Sequence, residues 1–256
     1  MLKIMVSLRA GRLFPLSKLL LLLCGVVLLA LAFVAARHIA SDVYRELAES
    51  LIQSELTPDA TREQNVETLE HGVNLLLKAQ QFNSENPDLN LDLGDLYLRL
   101  AALFPQPKSQ QIAQLSVDQY RQALKKRPTW PYAWINLANA QRKALAPAQA
   151  VFASLERAMT LGPWELTLQL GVLRLGMPMW GGWSAEQKRL LRGAMGRVAT
   201  APDLQNKLVL AVLRYGLESE LRFAVNESPE IIRAINALKS QARTVAPSRG
   251  RAVGLK

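Results

Sequence analysis

Residues 127–165 constrain the fold more than any other part of the chain. They read R-P-T-W-P-Y-A-W-I-N-L-A-N-A at the start and R-A-M-T-L-G-P-W-E at the end. The pattern has a large aromatic residue near the start of a first helix, a small residue four positions later, an Ala in a second helix and a closing Pro. The residues that carry it are Trp134, Leu137, Ala138, Ala158 and Pro163. This spacing predicts two helices packed as a hairpin.

A second hairpin precedes the first. After N-P-D at residues 86–88, Leu93, Gly94 and Tyr97 occupy the Leu, Gly and Tyr positions of a first helix, and the second helix closes at a proline. The letters F-P-Q-P-K-S-Q-Q between its helices are predicted to be an insertion, and Gln141 stands where the later hairpin would carry Tyr. Hairpins of this kind, about 34 residues long, are tetratricopeptide (TPR) units, which present helix surfaces to other proteins.

Helical patterns continue on both sides of these units. The expected segments are 41–53, 61–82, 164–175, 185–199, a helix after Pro202 and a helix from 229 to about 243. Ser184 with Gln187 forms a capping box, and M-P-M-W-G-G-W at 177–183 interrupts the pattern. Period-two alternation between hairpin turns is absent, so we expect no sheet. The sequence therefore predicts an all-α protein, a TPR-like α-solenoid of about eight short helices preceded by one transmembrane helix.

The apolar run near the N-terminus begins at Leu19 and ends at Ala36. Eighteen uncharged residues cover about 27 Å as a helix, which is close to the thickness of a bilayer core. Signal peptides have shorter apolar cores, so an uncleaved anchor is favoured, although Ala30-Leu31-Ala32 leaves a cleavage site open as the alternative. The basic flank predicts a cytoplasmic N-terminus and a periplasmic domain, as in a single-pass protein of a bacterial inner membrane. The lone Cys24 lies inside the run and is predicted to be a membrane-embedded hydrophobe.

The net charge of +10 is concentrated at the two ends of the chain. Residues 1–18 carry four basic side chains and no acid, and six further basic residues lie after position 230, where no acid follows. The helical body is neutral, so the charge does not indicate nucleic-acid binding. The predicted divisions are a cytoplasmic leader 1–18, a transmembrane helix 19–36, a TPR-like domain 37–245 and a disordered basic tail 246–256. The tail is a solvated end or, alternatively, contacts anionic lipid or an acidic polymer.

Sequence motifs for catalysis or metal binding are missing. His38 and His71 are the two histidines, and one His beside two acids falls short of a metal site. The carboxylate pairs Asp92/Asp95 and Glu218/Glu220 are predicted to lie on solvated helix faces. There is no G-x-S-x-G elbow, phosphate-binding loop or C-x-x-C motif. We therefore predict a protein that is not an enzyme and needs no metal or cofactor.

The aromatic residues are the candidates for partner binding. Exposed Trp and Tyr favour binding sites, either for peptides or for stacking on sugars. The candidate protein-binding surface comprises Trp130, Tyr132, Trp180 and Trp183. The residues predicted to pack within and between the repeats are Leu93, Gly94, Tyr97, Trp134, Leu137, Ala138, Ala158, Pro163 and Trp164.

The motifs R-P-T-W-P-Y-A-W-x-N-L-A and A-M-T-L-G-P-W-E-x-x-x-Q-L, with N-P-D-x-x-x-x-L-G-D-L-Y before them, resemble the VpsP-like polysaccharide-biosynthesis proteins. The resemblance covers about residues 15–215 and departs from the family at K-A-Q-Q-F before the Asn-Pro. It implies a single-anchor, TPR-containing accessory protein of exopolysaccharide synthesis or export. It transfers no catalytic residue.

Two functions follow from these observations. The first is a non-catalytic membrane-anchored scaffold that holds proteins of a polysaccharide synthesis or export machinery together. The alternative is a periplasmic assembly or secretion adaptor, of the outer-membrane or cytochrome maturation type, unrelated to polysaccharide. An anchor with TPR-like helices suits both functions, and only the Trp-Pro motifs separate them. A glycosyltransferase or hydrolase is disfavoured because no catalytic constellation is present.

Overall fold

The computed structural model describes residues 16–57 and 59–245, with side chains from 18 to 240 apart from residue 58. The described residues form eleven α-helices and one 3-10 helix, and no β-strand. In chain order the elements are α1 (Leu16–Glu55), α2 (Arg62–Phe82), α3 (Pro87–Ala102), α4 (Lys108–Lys126), α5 (Pro131–Lys143), α6 (Ala148–Leu161), α7 (Leu166–Gly176), the 3-10 helix (Met177–Gly182), α8 (Ala185–Ala199), α9 (Pro202–Arg214), α10 (Glu218–Ala224) and α11 (Pro229–Val245).

Successive helices pack in pairs, which makes the molecule a solenoid of hairpins. The pairs are α1 with α2, α3 with α4, α5 with α6 and α7 with α8. The first helices also contact one another in order, α3 with α5 and α5 with α7. The predicted all-α, TPR-like fold with one long apolar N-terminal helix is therefore confirmed.

Local capping explains where several helices begin. The Thr61 side chain accepts from the backbone N–H of Gln64, whose own side chain bonds back to the Thr61 N–H. Asn86 caps α3 through the N–H of Asp88, with a proline at the first helical position. Ser184 and Gln187 form the predicted capping box at the start of α8. Each cap satisfies backbone donors that have no partner inside the helix.

The buried side chains form two clusters that meet at α5. The first lies between α1 and α5 and includes Leu69, Leu93 and Tyr120, each almost fully buried. The second runs from α5 to α11 and includes Leu155. The half-buried Trp134 packs against both clusters, and its indole Nε1 donates to the carbonyl oxygen of Pro128 at 2.8 Å. Full burial of a Leu side chain contributes about 1.5–3 kcal/mol, so the clusters account for most of the packing energy.

Two expectations about the helices were wrong. The described residues form eleven α-helices where about eight were expected, and the short α10 carries too few residues to show a period. The letters K-S-Q-Q of the supposed insertion are the first turn of α4, which begins at Lys108. Residues 177–182 interrupt the α-helical pattern as expected, and they do so as a 3-10 helix with Met177 buried against the core.

Gln141 departs from the repeat pattern but is accommodated. It stands at the position where the repeat would carry Tyr, and its side chain is buried on α5. Its Oε1 accepts a hydrogen bond from the Ser154 hydroxyl of α6 at 2.8 Å. A buried polar pair between the two helices therefore replaces the aromatic contact.

The N-terminal helix α1 has two different halves. Its apolar run is uncovered, because none of its candidate membrane-spanning window is buried by the rest of the chain. Its second half packs against α2, with Ser41 and Ala48 buried. Among the described residues, α1 is the one helix long and apolar enough to cross a membrane, a criterion that a signal sequence also meets. Residues 1–15 of the predicted leader and the predicted tail 246–256 lie outside the described residues.

The contact between Gly94 and Tyr120 gives a test of the packing. A Cβ added at Gly94 would lie 2.9 Å from two carbons of the Tyr120 ring, which is fully buried and cannot move aside. We expect Gly94→Ala to lower the free energy of unfolding by up to about 2 kcal/mol, since an overpacking cost of about 1–3 kcal/mol outweighs the gain of about 1 kcal/mol in helix propensity. Denaturant unfolding of the detergent-solubilised full chain measures this.

Gly171→Ala is the matched control. Gly171 also follows a Leu within the first helix of its hairpin, and its added Cβ would meet only Cδ1 of Ile135, at 2.8 Å. That methyl group is the end of a flexible side chain that can rotate away. The control variant should match or exceed the wild type in stability, and equal losses from both substitutions would contradict the packing argument.

Candidate protein-binding surfaces

A groove of about 320 Å³ lies between α1 and α3 near the start of the solenoid. Its polar walls come from Arg45 and Glu49 on α1 and from Asp92, Asp95 and Arg99 on α3. Apolar side chains such as Leu76 of α2 contribute to the lining. The groove is therefore a mixed-charge cleft with an apolar component, built from the first helices of two adjacent hairpins.

Helical spacing explains how the polar residues reach the groove. Arg45 and Glu49 are four residues apart, and Asp92 and Asp95 are three apart, so each pair lies on one face of its helix. Leu93, between the two aspartates, is fully buried on the other side of α3. Burial of the leucine positions of L-D-L-G-D-L-Y thus leaves both aspartates to line the groove.

The two aspartates of the groove are engaged by different partners. Arg45 Nε donates to Asp92 Oδ2 at 2.6 Å, but burial dominates and raises the pKa of Asp92 above its ordinary value. The Tyr120 hydroxyl donates to Asp95 Oδ1, and Asn136 Nδ2 lies 3.5 Å from the same oxygen. Burial likewise raises the pKa of Asp95. The prediction that these aspartates form a solvated face was wrong, because α1 and α4 cover them.

The pair Glu218/Glu220 is also engaged in ion pairs. Glu218 accepts hydrogen bonds from Lys239 and from Arg222, and the Lys239 contact is the main reason that its pKa is lowered. Glu220 Oε2 lies 2.6 Å from Arg192 Nε. These contacts connect α10 to α8 and α11, so the expected solvated face is a set of bridges between helices.

The aspartates of the groove lack the surroundings of a catalytic or metal-binding group. Each aspartate already has a hydrogen-bond donor, and neither faces a free hydroxyl or imidazole as a base would. His71 is exposed on α2. No group of three or more His, Cys, Asp or Glu side chains with the geometry of a metal site occurs in residues 16–57 and 59–245. The walls offer charged donors and acceptors to a bound chain.

The structure separates the four candidate aromatic residues into two places. Trp130 and Tyr132 lie at the start of α5, in the turn after α4. Arg127 stacks over the half-buried Trp130 ring at 5.2 Å, and the exposed Tyr132 hydroxyl lies 3.2 Å from Glu165 Oε2. Trp180 and Trp183 follow α7, at the opposite end of the hairpins.

Trp183 must be withdrawn from the candidate surface. It is only 4% exposed, its Nε1 donates to the carbonyl oxygen of Gly176 at 2.8 Å, and its ring lies 5.0 Å from that of Phe152. The expectation of an exposed tryptophan was wrong because the 3-10 helix turns its side chain into the core. Trp180 is half-buried, with the Arg192 guanidinium 5.8 Å from its ring centre.

The residues predicted to pack between the repeats lie mostly in the interior. Leu93, Gly94, Leu137, Ala138 and Ala158 are buried, and Tyr97, Trp134 and Pro163 are half-buried. Trp164 is the exception, because its side chain is 84% exposed. Its predicted packing role was wrong, because its side chain lies in the turn between α6 and α7 and faces solvent.

Sequence reasoning missed Arg45, Glu49 and Arg99 as members of the groove. Each looks like an ordinary charge on an amphipathic helix, and their meeting depends on how α1 packs beside α3, more than forty residues away. The i,i+4 spacing of Arg45 and Glu49 was visible. It could not show which helix they face.

Comparison with protein families and with curated protein sequences gives no match. Two solved structures are similar in fold. The crystal structure of MamA has 14% identity over 69% of this chain and 92% of its own, with a TM-score of 0.45. A crystal structure of MamA protein has 12% identity over 84% of this chain and 98% of its own, with a TM-score of 0.49.

The half-buried carboxyl of Asp95 should make stability depend on pH. Its pKa is raised in the folded state, so protonation favours folding and the wild type loses stability as pH rises through that pKa. Asp95→Asn keeps an oxygen acceptor for Tyr120 and cannot ionise. We expect the unfolding free energy of the variant, relative to the wild type, to be larger at about pH 7 than at about pH 4.

Asp118→Asn on the exposed face of α4 is the control. Asp118 is more than half exposed and pairs loosely with Arg121 at 3.7 Å. The difference in unfolding free energy between Asp118→Asn and the wild type should be the same at both pH values. A constant difference for Asp95→Asn as well would show that its carboxyl is not destabilised by burial.

Proposed function

We propose that this protein is a non-catalytic, membrane-anchored scaffold that binds proteins of an exopolysaccharide synthesis or export machinery. The observation that carries the proposal is that α1 has two parts with different surroundings. Its first half is an uncovered apolar run, and its second half is the first helix of the solenoid. One rigid element thus connects a membrane span to a binding domain.

Anchoring follows from the cost of leaving α1 in water. Large apolar side chains along the run are about half or more exposed, and each would gain roughly 1.5–3 kcal/mol by transfer to an apolar phase. The basic leader favours a cytoplasmic N-terminus, which places the solenoid in the periplasm of a bacterial inner-membrane protein. The proposed divisions are the leader 1–18, the span 19–36, the periplasmic domain 37–245 and the basic tail 246–256.

Protein binding is supported by the groove between α1 and α3. Ordered helices with fixed charges, such as the Arg45–Asp92 pair, present donors and acceptors without further cost of ordering. A groove built partly from the anchor helix lies close to the bilayer. Partners in the same membrane would therefore meet it at a high effective concentration.

The polysaccharide assignment is supported by the Trp-Pro motifs that resemble VpsP-like proteins. Pro131 begins α5, and Pro163 lies in the turn before α7, so both motifs belong to junctions between hairpins. The absence of catalysis is supported by the groove, where Asp92 and Asp95 are held by Arg45 and Tyr120. The residues Trp130, Tyr132 and Trp180 remain proposed contacts for partners.

Deletion of the gene in its native host tests the polysaccharide role. We expect secreted polymer to fall, without loss of any single sugar-transfer activity, and the full chain to restore it. A version with a cleavable signal in place of residues 1–36 should not restore it, because the domain is then released from the membrane. Unchanged polymer in the deletion strain, with secretion or cytochrome-maturation proteins co-purifying instead, would favour the adaptor function.

Site-specific photo-crosslinking tests the groove. Gln53 lines the groove, is exposed and donates to Glu49 at 3.0 Å. Gln114 on α4 is equally exposed and donates to Asp118 at 3.1 Å, so it is a matched control outside the groove. With a photo-crosslinking amino acid at each position, we expect a specific inner-membrane protein adduct from position 53 and none from 114. The same adducts from both positions would argue against a groove site.

A further inference from the structure

One edge of the solenoid consists of the turns that lead from each hairpin into the next. We call this the anchor-side edge, formed by residues 83–86, 127–130 and 162–165. Arg37, directly after the apolar run, donates from Nε to the carbonyl oxygen of Phe82 at 3.1 Å and from Nη2 to that of Gln81 at 3.2 Å. His38 Nδ1 lies 3.0 Å from Asn83 Nδ2. The apolar run therefore ends against the first of these turns.

The second turn lies beside the first. The Lys126 ammonium donates to the carbonyl oxygen of Ser84, and Arg127 Nη1 lies 3.0 Å from Asp88 Oδ1. These contacts join the end of α4 to the start of α3. Residues 127–130 are thus one hairpin away from the point where α1 leaves the apolar run.

The third turn continues the same edge. Arg127 stacks over Trp130, and Tyr132 in the first turn of α5 bonds to Glu165 before α7. Trp164 precedes Glu165 in this turn. An unbroken series of contacts therefore runs from the end of the apolar run to the exposed Trp164.

The chemistry of this edge matches the boundary between a membrane and water. Trp164 is 84% exposed and Tyr132 is 40% exposed, and Trp and Tyr prefer the headgroup level of bilayers. Lys125 adds exposed positive charge, and Arg127 is exposed but already paired with Asp88. Glu85 and Glu165 are exposed acids, and the Tyr132 hydroxyl that donates to Glu165 is uncharged.

The opposite edge lies one helix length away. It includes the turns at residues 103–107 and 144–147. The 16 residues of α3 give a separation of about 24 Å. A bilayer that holds the apolar run of α1 therefore lies next to the anchor-side edge and far from Trp180.

We propose that the anchor-side edge lies on the surface of the bilayer that holds α1, with Trp164 and Tyr132 among the headgroups and Lys125 facing anionic lipid phosphates. This inference rests on the anchoring proposed above. Its consequence is a fixed orientation: the second half of α1 and the whole of α3 rise from the membrane surface, so the groove between them extends away from the bilayer.

Fluorescence quenching in vesicles tests the proposal with the full chain. The protein is reconstituted in vesicles of phosphatidylglycerol and brominated phosphatidylcholine, whose bromine atoms quench tryptophans near the lipid. We expect Trp164→Phe to remove roughly half or more of the lipid-dependent quenching, because Trp164 is the most exposed tryptophan at the interface. Trp180→Phe, at the opposite edge, should leave the quenching unchanged. Equal quenching in the wild type and Trp164→Phe would overturn the proposal.

Two controls keep the edge distinct from the anchor. Because the Trp164 side chain is exposed, Trp164→Phe should unfold at the same temperature as the wild type. Flotation of the vesicles after alkaline washing, with Cys24 protected from a water-soluble maleimide, reports insertion of α1. Failure of flotation and protection overturns the anchoring and the edge together. Insertion without Trp164-dependent quenching overturns the edge alone, and loss of a protein partner in Trp164→Phe would then assign the edge to that partner.

Discussion

The contact between α1 and α2 is the interaction on which the rest of the structure depends. Ala48 of α1 and Leu69 of α2 are buried in the first cluster, and the Tyr44 and Phe82 rings stack with their centres 5.8 Å apart. This contact makes the end of the apolar run continuous with the first hairpin. Because helices in a solenoid contact mainly their neighbours, each hairpin is oriented by the one next to it, beginning with the hairpin that contains α1.

The same constraint creates the groove and explains its unusual electrostatics. With α1 held on α2, Arg45 faces α3 and bonds to Asp92, while Asp95 is covered from the other side by Tyr120. Burial raises the pKa of both carboxyls although each has a donor. Such a site costs stability, as surfaces selected for binding commonly do. Surface pairs such as Arg189 with Glu186 contribute little by comparison.

Local signals predicted much of the fold, and long-range packing decided the rest. The capping box at Ser184 and the bounds of α8 were predicted correctly, because caps depend on residues a few positions apart. The membership of Arg45 in the groove could not be predicted, because it depends on how the first hairpin packs beside the second. The predictions for Trp183 and Trp164 were wrong in opposite directions, since Trp183 is buried and Trp164 is exposed. Each lies in a turn, where the pattern of polar and apolar residues has no period to show which side is buried.

The two Trp-Pro junctions show how one local motif can serve two purposes. Each motif places a tryptophan next to a proline between hairpins, yet Trp130 is half-buried under Arg127 whereas Trp164 projects into solvent. An exposed indole forgoes the free energy that burial would provide. A junction that served only packing would bury its tryptophan. The junction nearer α1 therefore stabilises the solenoid, and the farther one leaves its aromatic side chain available to a surface outside the protein.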